Sequence, residues 1–390
     1  ESNEGRADIF VNSFINGTNW KDEVTAIDRM AKLTKEDIVA FADKYLKEDN
    51  YAVVYKKQGK DPNEKKMTKP EITPIVSNRD VASPFLTSIQ ENAVKPIEPV
   101  FLDFKKDMSQ LTAKSDIPVL YKQNTTNDLF QLIYVFDMGN NNDKALGTAF
   151  DYLEYLGTSD MTPEELKSEF YRLACTFYVS PGNERTYVVL SGLNENMPAA
   201  MQLFEKLLAD AQVNKEAYDN LVGDILKARA DAKLNKGQNF SRLMNYAMYG
   251  PKSPATNLLT EAELASMNPQ ELVDRIHNQN NYKHRILYYG PSSSKDLLAT
   301  IDQYHQVPAT LKDIPAGNEF SYLETPATKV LVAPYEAKQI YMAQISNLDK
   351  KYDPAIEPTR ELYNEYFGGG MNSIVFQEMR ETRGLAYSAW

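Results

Sequence analysis

The stretch from Gly368 to Tyr387, Gly-Gly-Gly-Met-Asn-Ser-Ile-Val-Phe-Gln-Glu-Met-Arg-Glu-Thr-Arg-Gly-Leu-Ala-Tyr, concentrates side chains that can do chemistry. Its opening glycines let the backbone turn sharply into a helix capped by Asn372 or Ser373, and Gly384 is placed to close that helix as a left-handed cap before a strand. Arg380 at the helix end and Tyr387 at the strand start are therefore expected close together, and both side chains donate hydrogen bonds. The residues equally allow Arg380 to pair with Glu378, Glu381 or a linker carboxylate while Tyr387 joins a core. Glycines ahead of a helix can also cradle a phosphate. Here the Lys-Ser/Thr pair of a P-loop is missing and no strand of nucleotide-fold order precedes the glycines, which argues against a nucleotide-dependent enzyme.

Metal chemistry has little to work with. The histidines are His277, His284 and His305. A catalytic zinc needs two imidazoles one helical turn apart, whereas His277 and His284 are seven apart, about 10.5 Å along a helix axis. Each histidine reads as a surface or capping residue. Cys175 is the single cysteine, so no internal disulfide forms, although that alone does not set the redox compartment.

The elements that must position these residues follow a helix-then-strand unit that occurs twice. In the first copy Thr34 and Asp37 form a capping-box pattern, Leu33 and Ile38 a hydrophobic staple, and Ile38, Phe41 and Tyr45 share a helical face leading to an apolar run from Tyr51 to Tyr55. The second copy runs from Met267 through Leu272 and Ile276 to a strand ending at Gly290. Such duplication predicts repeated domains. Between the copies, 58–100 carries Pro62, Pro70, Pro74, Pro84, Pro96 and Pro99 without sustained periodicity and reads as an inter-domain linker.

After it, strands are predicted at Pro118–Lys122 and Leu129–Phe136, the second apolar on both faces and so central. Thr162-Pro163-Glu164-Glu165 opens a helix with its inner face on Leu166, Phe170 and Leu173. A hairpin is expected from Cys175–Ser180 to Thr186–Ser191, then helices over 197–210 and 215–235. The last segment repeats the scheme: a helix from Asp296 to Tyr304, strands near Lys329–Val332 and Gln339–Ser346, and a helix from Pro358. The order is α+β, with helices covering one face of a mainly antiparallel sheet.

With 390 residues the chain is long enough for two or three domains, and 42% apolar with 25% charged residues is the balance of a globular protein. No run approaches the roughly 18 apolar residues of a spanning helix, and the first residues lack the pattern of a signal peptide. A net charge of −11 repels a phosphate backbone. The lysine cluster Lys56, Lys57, Lys60, Lys65, Lys66 and Lys69 lies in the Pro-containing stretch without interleaved aromatics, so no nucleic-acid partner is expected.

The glycine-rich helix with its Arg-to-Tyr spacing, the repeated helix–strand units and the domain order resemble the pitrilysin/insulinase family of zinc peptidases, the inverzincins, along nearly the whole chain. That resemblance implies a half-clamshell: two bowl-shaped halves, each of two related domains, closing on an unfolded peptide. In such enzymes the first half holds zinc on a His-x-x-Glu-His helix, and an arginine and a tyrosine of the second half reach the scissile carbonyl. Arg380 and Tyr387 match that pair, and both can donate to the oxyanion of a tetrahedral intermediate.

At the place of the zinc helix stands Asp151-Tyr152-Leu153-Glu154-Tyr155, followed by Gly157-Thr158. Asp151 and Tyr155 occupy the histidine positions, and Glu154 alone has no metal-bound water to activate, so no metal or other cofactor is expected in this chain.

The resemblance thus implies that 1–57 is the tail of a second domain, 58–100 the inter-half linker, 101–280 a degenerate third domain and 281–390 the opening part of a fourth. Zinc belongs to an N-terminal half outside this chain, in the same polypeptide or a separate subunit. The chain alone is expected to be inactive, its substrate an unfolded peptide, its compartment the periplasm or cell envelope. A different function, that of a non-catalytic peptide-binding or scaffold subunit, accommodates the missing ligands equally well.

Overall fold

The computed structural model describes residues 3–49, 51–57, 59, 67–68, 82–336, 339–347 and 352–390. Two compact units divide at Leu102 and Asp103. The first contains helices α1 (Asn3–Asn16), α2 (Trp20–Val24), α3 (Ala26–Met30), α4 (Lys35–Tyr45) and α5 (Pro84–Gln90). Phe10 stacks on Trp20 with centroids 4.2 Å apart. The reciprocal capping box of Thr34 and Asp37 starts α4 as its sequence predicts.

Yet Ile38, Phe41 and Tyr45 are exposed, and Tyr51–Tyr55 forms no strand. A strand is stable only beside a partner, and no strand accompanies it among the described residues of this unit. About half of the linker assigned to 58–100, with Lys60, Lys65, Lys66 and Lys69, lies outside the described residues.

The second unit is built on a sheet of β1 (Ser109–Ala113), β2 (Ile117–Gln123), β3 (Leu129–Phe136), β4 (Cys175–Pro181), β5 (Thr186–Leu193) and β6 (Arg285–Gly290), ordered β1-β2-β6-β3-β5-β4. All pairings are antiparallel except β2 with β6. β3 lies between β5 and β6, as its two-faced apolarity predicts. Phe130, Leu132, Tyr134 and Phe136, alternate residues of β3, are buried.

Helices α6 (Leu146–Leu153), α7 (Pro163–Arg172) and α8 (Met197–Asp210) supply apolar partners to that core, among them Leu146, Phe150, Leu166, Phe170, Met201 and Phe204. α9 (Lys215–Lys233), α10 (Lys236–Tyr249), α11 (Glu261–Ser266), α12 (Gln270–Asn278), α13 (Ser294–Tyr304) and α14 (Glu357–Asn364) follow.

Two expectations change. β6 sits inside the sheet and Leu297 and Ile301 of α13 are fully buried in its core, so Arg285–Tyr304 packs with the residues before position 280 and the boundary expected there falls within one core. The strands expected at Lys329–Val332 and Gln339–Ser346 are irregular, again without a neighbouring strand among the described residues to complete their hydrogen bonds.

Candidate functional site

Arg380 and Tyr387 are brought together by one helix end. Ser373 is buried and its Oγ accepts from Phe376 N at 3.3 Å, opening the helix. The helix widens into π-type turns over Phe376–Thr382, where Thr382 Oγ1 donates to Gln377 O at 2.8 Å. Such turns are rare and often occur at functional sites.

Gly384, at φ +58°, then reverses the chain as the expected left-handed cap. Gly384 N donates to Arg380 O at 3.1 Å and Leu385 N to Met379 O at 2.9 Å. This returns Tyr387 over Arg380, whose guanidinium carbon lies 4.6 Å from the centroids of both the Tyr387 and Phe376 rings.

Arg380 Nε also stands 3.7 Å from Glu381 Oε1, while Glu378 pairs with Arg383 at 3.2 Å. Tyr387 is 82% exposed and joins no core. The segment after Gly384 is irregular rather than a strand. The pair therefore presents a phenol and a stacked guanidinium to solvent, two donors able to meet one anionic oxygen.

The second candidate group lies where α6 ends. Leu146, Ala149, Phe150, Tyr152 and Leu153 anchor the helix in the core, and Tyr152 fixes its end by donating to Asn214 O at 2.5 Å and accepting from Asn214 N at 2.8 Å. Asp151 stands on the outward side and Glu154 and Tyr155 are exposed. Enough protein surrounds the Asp151 carboxyl to hold it above its ordinary value, with the Glu154 charge adding to the shift.

This donor set does not fit a tetrahedral zinc: it offers carboxylates and a phenol but no imidazole. No group of three or more His, Cys, Asp or Glu placed to hold a metal occurs among the described residues. Arg380 has its ion-pair and ring contacts with Glu381, Phe376 and Tyr387, and no hydrogen bond or ion pair joins it to Asp151, Glu154 or Tyr155 among the described residues.

A third cluster, which no spacing in the sequence predicts, lies in the core. Glu205 on α8 is 1% exposed, and its carboxylate accepts from Tyr134 OH at 3.0 Å, Asn280 Nδ2 at 2.9 Å and Gln306 N at 3.0 Å. His305 Nδ1 meets Glu205 Oε1 at 2.6 Å and His305 Nε2 meets His284 Nε2 at 2.8 Å. His284 Nδ1 lies 2.7 Å from Tyr282 O; a carbonyl only accepts, so this nitrogen carries the proton and Nε2 accepts from His305.

His284 and His305 are therefore core residues, not the surface or capping residues their sequence suggests. Burial chiefly, and His305 beside it, pushes the His284 pKa down to about 4. The Tyr134 hydroxyl is pushed well above its ordinary value by burial and the Glu205 charge. The sequence did hold one signal: Glu205 falls on the stripe of α8 that contains Met197, Met201 and Leu208, all buried.

No family model matches the chain. An uncharacterized zinc protease of Rickettsia felis is 22% identical over 263 residues, 64% of this chain and 60% of that protein. The uncharacterized zinc protease YmxG of Bacillus subtilis is 23% identical over 62% of this chain and 58% of its own length. The chain thus spans somewhat more than half the length of these relatives.

Among solved structures, an inactive peptidase M16 domain from Pseudomonas fluorescens superposes with a TM-score of 0.53 at 18% identity, over 72% of this chain and 69% of that one. The periplasmic protease PqqL of Escherichia coli superposes at 0.51 and 15% identity, over 78% of this chain and 32% of that one. These likenesses agree in fold. No described helix is long and apolar enough to cross a membrane.

Proposed function

As a chain that belongs to the pitrilysin-like family of zinc peptidases, the protein is, we propose, the zinc-less C-terminal half of a zinc-dependent endopeptidase that cleaves unfolded peptides in an enclosed chamber. The observation that carries this is the stacking of Arg380 on Tyr387 at 4.6 Å. When water adds to a peptide carbonyl carbon, the carbonyl oxygen becomes an oxyanion. The Tyr387 hydroxyl and the Arg380 guanidinium donate hydrogen bonds to it and hold the substrate in register.

The metal belongs to a partner half, in the same polypeptide or a separate subunit, because Asp151, Glu154 and Tyr155 cannot replace two imidazoles. In this scheme 1–57 is the tail of the second domain and 58–100 the inter-half linker. The degenerate third domain begins near 101 and runs through α13, and the fourth follows with the Arg380/Tyr387 pair. A periplasmic or cell-envelope address is supported by the fold shared with PqqL, named a periplasmic protease.

The test is peptide cleavage by the chain combined with its zinc-bearing half: Tyr387→Phe should lower turnover more than peptide binding, and unchanged turnover would remove the oxyanion role. A second function, a non-catalytic peptide-binding or scaffold subunit, is favoured by the imidazole-free motif and by the likeness to an inactive M16 domain. Copurification with a separate zinc-bearing subunit whose activity survives both Arg380→Ala and Tyr387→Phe would select it.

A further inference from the structure

β4 is the last strand on its side of the sheet, and two backbone hydrogen bonds at its ends fix which of its groups face outward. Leu193 N donates to Ala174 O at 3.3 Å and Gly182 N to Arg185 O at 2.7 Å. Both pairs continue the register in which Cys175 faces Gly192 and Pro181 faces Thr186. Bonded and non-bonded pairs alternate along an antiparallel ladder. Thr176, Tyr178 and Ser180 therefore direct their amides and carbonyls to β5, while Phe177 and Val179 turn theirs to the free edge. No strand pairs with that edge among the described residues, so it presents a row of donors and acceptors in extended spacing.

An apolar cavity of about 330 Å³ opens beside this row. Every residue from Cys175 to Val179 lines it. Neighbouring residues of a strand point to opposite faces, so the cavity follows the backbone edge and not one face. Leu153 of α6 and Leu166 of α7 form part of its wall. Glu154 and Lys167 also border it, both exposed and neither with a hydrogen-bond or ion-pair partner among the described residues. An unpaired edge supplies backbone pairing and an adjoining trough supplies side-chain selection, the two requirements for binding a peptide as an added strand.

We propose that β4 docks an extended peptide as a seventh strand, with bulky apolar side chains at alternate positions seated in the cavity and flanking charges of the peptide meeting Glu154 and Lys167. The inference rests on the peptidase reading only for calling that peptide a substrate. The docking itself needs neither zinc nor the Arg380/Tyr387 pair. A small apolar ligand would fill the trough without using the backbone row, and a second copy of the chain would use the row without a free peptide.

The experiment uses the 390-residue chain and a fluorescein-labelled nonapeptide of alternating leucine and threonine ended by lysine and glutamate. Two further versions are N-methylated, one at its leucine amides and the other at its threonine amides. Only one edge of the added strand meets β4, so one methylated version should bind at least about tenfold more weakly while the other binds like the parent. Amide exchange at Phe177 and Val179 should slow on binding.

Val179→Pro removes an outward amide without breaking the β4–β5 ladder and should also weaken binding at least about tenfold. The methylated peptides decide the matter on the unaltered chain even if that variant unfolds. Equal binding by both methylated versions, absence of saturable binding, or protection of β4 that rises with protein concentration instead of peptide would each overturn the proposal. Those results would leave the turnover test of Tyr387 untouched, just as failure of that test would leave this one standing.

Discussion

The guanidinium carbon of Arg380 lies 4.6 Å from the ring centroid of Tyr387, and the residue between them that makes this possible is Gly384 at φ +58°. A side chain at that position would strain the left-handed turn. The cation–π contact is worth about 0.5–1 kcal/mol at an exposed site, enough to bias orientation but not to fix it. Substrate contact would therefore complete the alignment of a pair whose spacing the turn sets.

Removing one donor from this pair should cost the reaction more than the complex. With the zinc-bearing half present, Tyr387→Phe is expected to lower kcat by roughly 10²–10³, as loss of one oxyanion donor does, with KM little changed. Arg380→Lys keeps the charge but loses the planar fork and the stacking face, so turnover should fall there too. Steady-state kinetics on an unstructured peptide check both; a change confined to KM would make the two residues binding groups only.

Glu205 should be the most costly side chain to truncate in the second unit. Its carboxylate gathers Tyr134, Asn280, Gln306 and His305 from β3, the turn after α12 and the segment after α13. Glu205→Ala leaves these groups buried without an acceptor, and breaking a buried pair in this way costs about 3–5 kcal/mol. Urea unfolding should show the lowered midpoint, with Glu205→Gln less damaged because its amide oxygen still accepts.

The parts legible in the sequence are those set by local chemistry. Thr162 with Pro163 and Glu165 specifies the start of α7, and the structure shows the reciprocal capping box; the apolar run Leu129–Phe136 specifies a central strand. The proximity of Arg380 and Tyr387 was legible because one glycine decides it. What the sequence does not show depends on partners distant in it: Tyr51–Tyr55 and Gln339–Ser346 have strand composition but no strand beside them among the described residues, and β6 joins strands far upstream in its register, as Tyr134 opposite Ile286 shows. The spacing of the histidines misleads for the same reason, since only tertiary contact sets His284 against His305.

Restoring imidazoles at the degenerate motif should restore metal affinity. Asp151 and Tyr155 are one helical turn apart, with Glu154 between them at the end of α6. The unaltered chain should give no saturable zinc binding there by calorimetry, while Asp151→His combined with Tyr155→His should bind zinc in a pH-dependent manner, because imidazole must be neutral to ligate. Absence of binding by the double variant would mean that the end of α6 no longer has the geometry of the motif.

His284 should make the second unit acid-sensitive in a defined window. Its pKa falls from an ordinary 6.5 to about 4 in the folded chain, so between these values the unfolded chain binds the proton and the folded chain does not. Stability is then present above about pH 6.5 and declines as pH falls toward 4, by up to about 3 kcal/mol for a shift of this size. His284→Gln retains a hydrogen-bonding side chain but cannot titrate. Urea midpoints at several pH values should therefore slope downward through this window in the unaltered chain and flatten in the variant, and a parallel slope in both would assign the acid sensitivity to other groups.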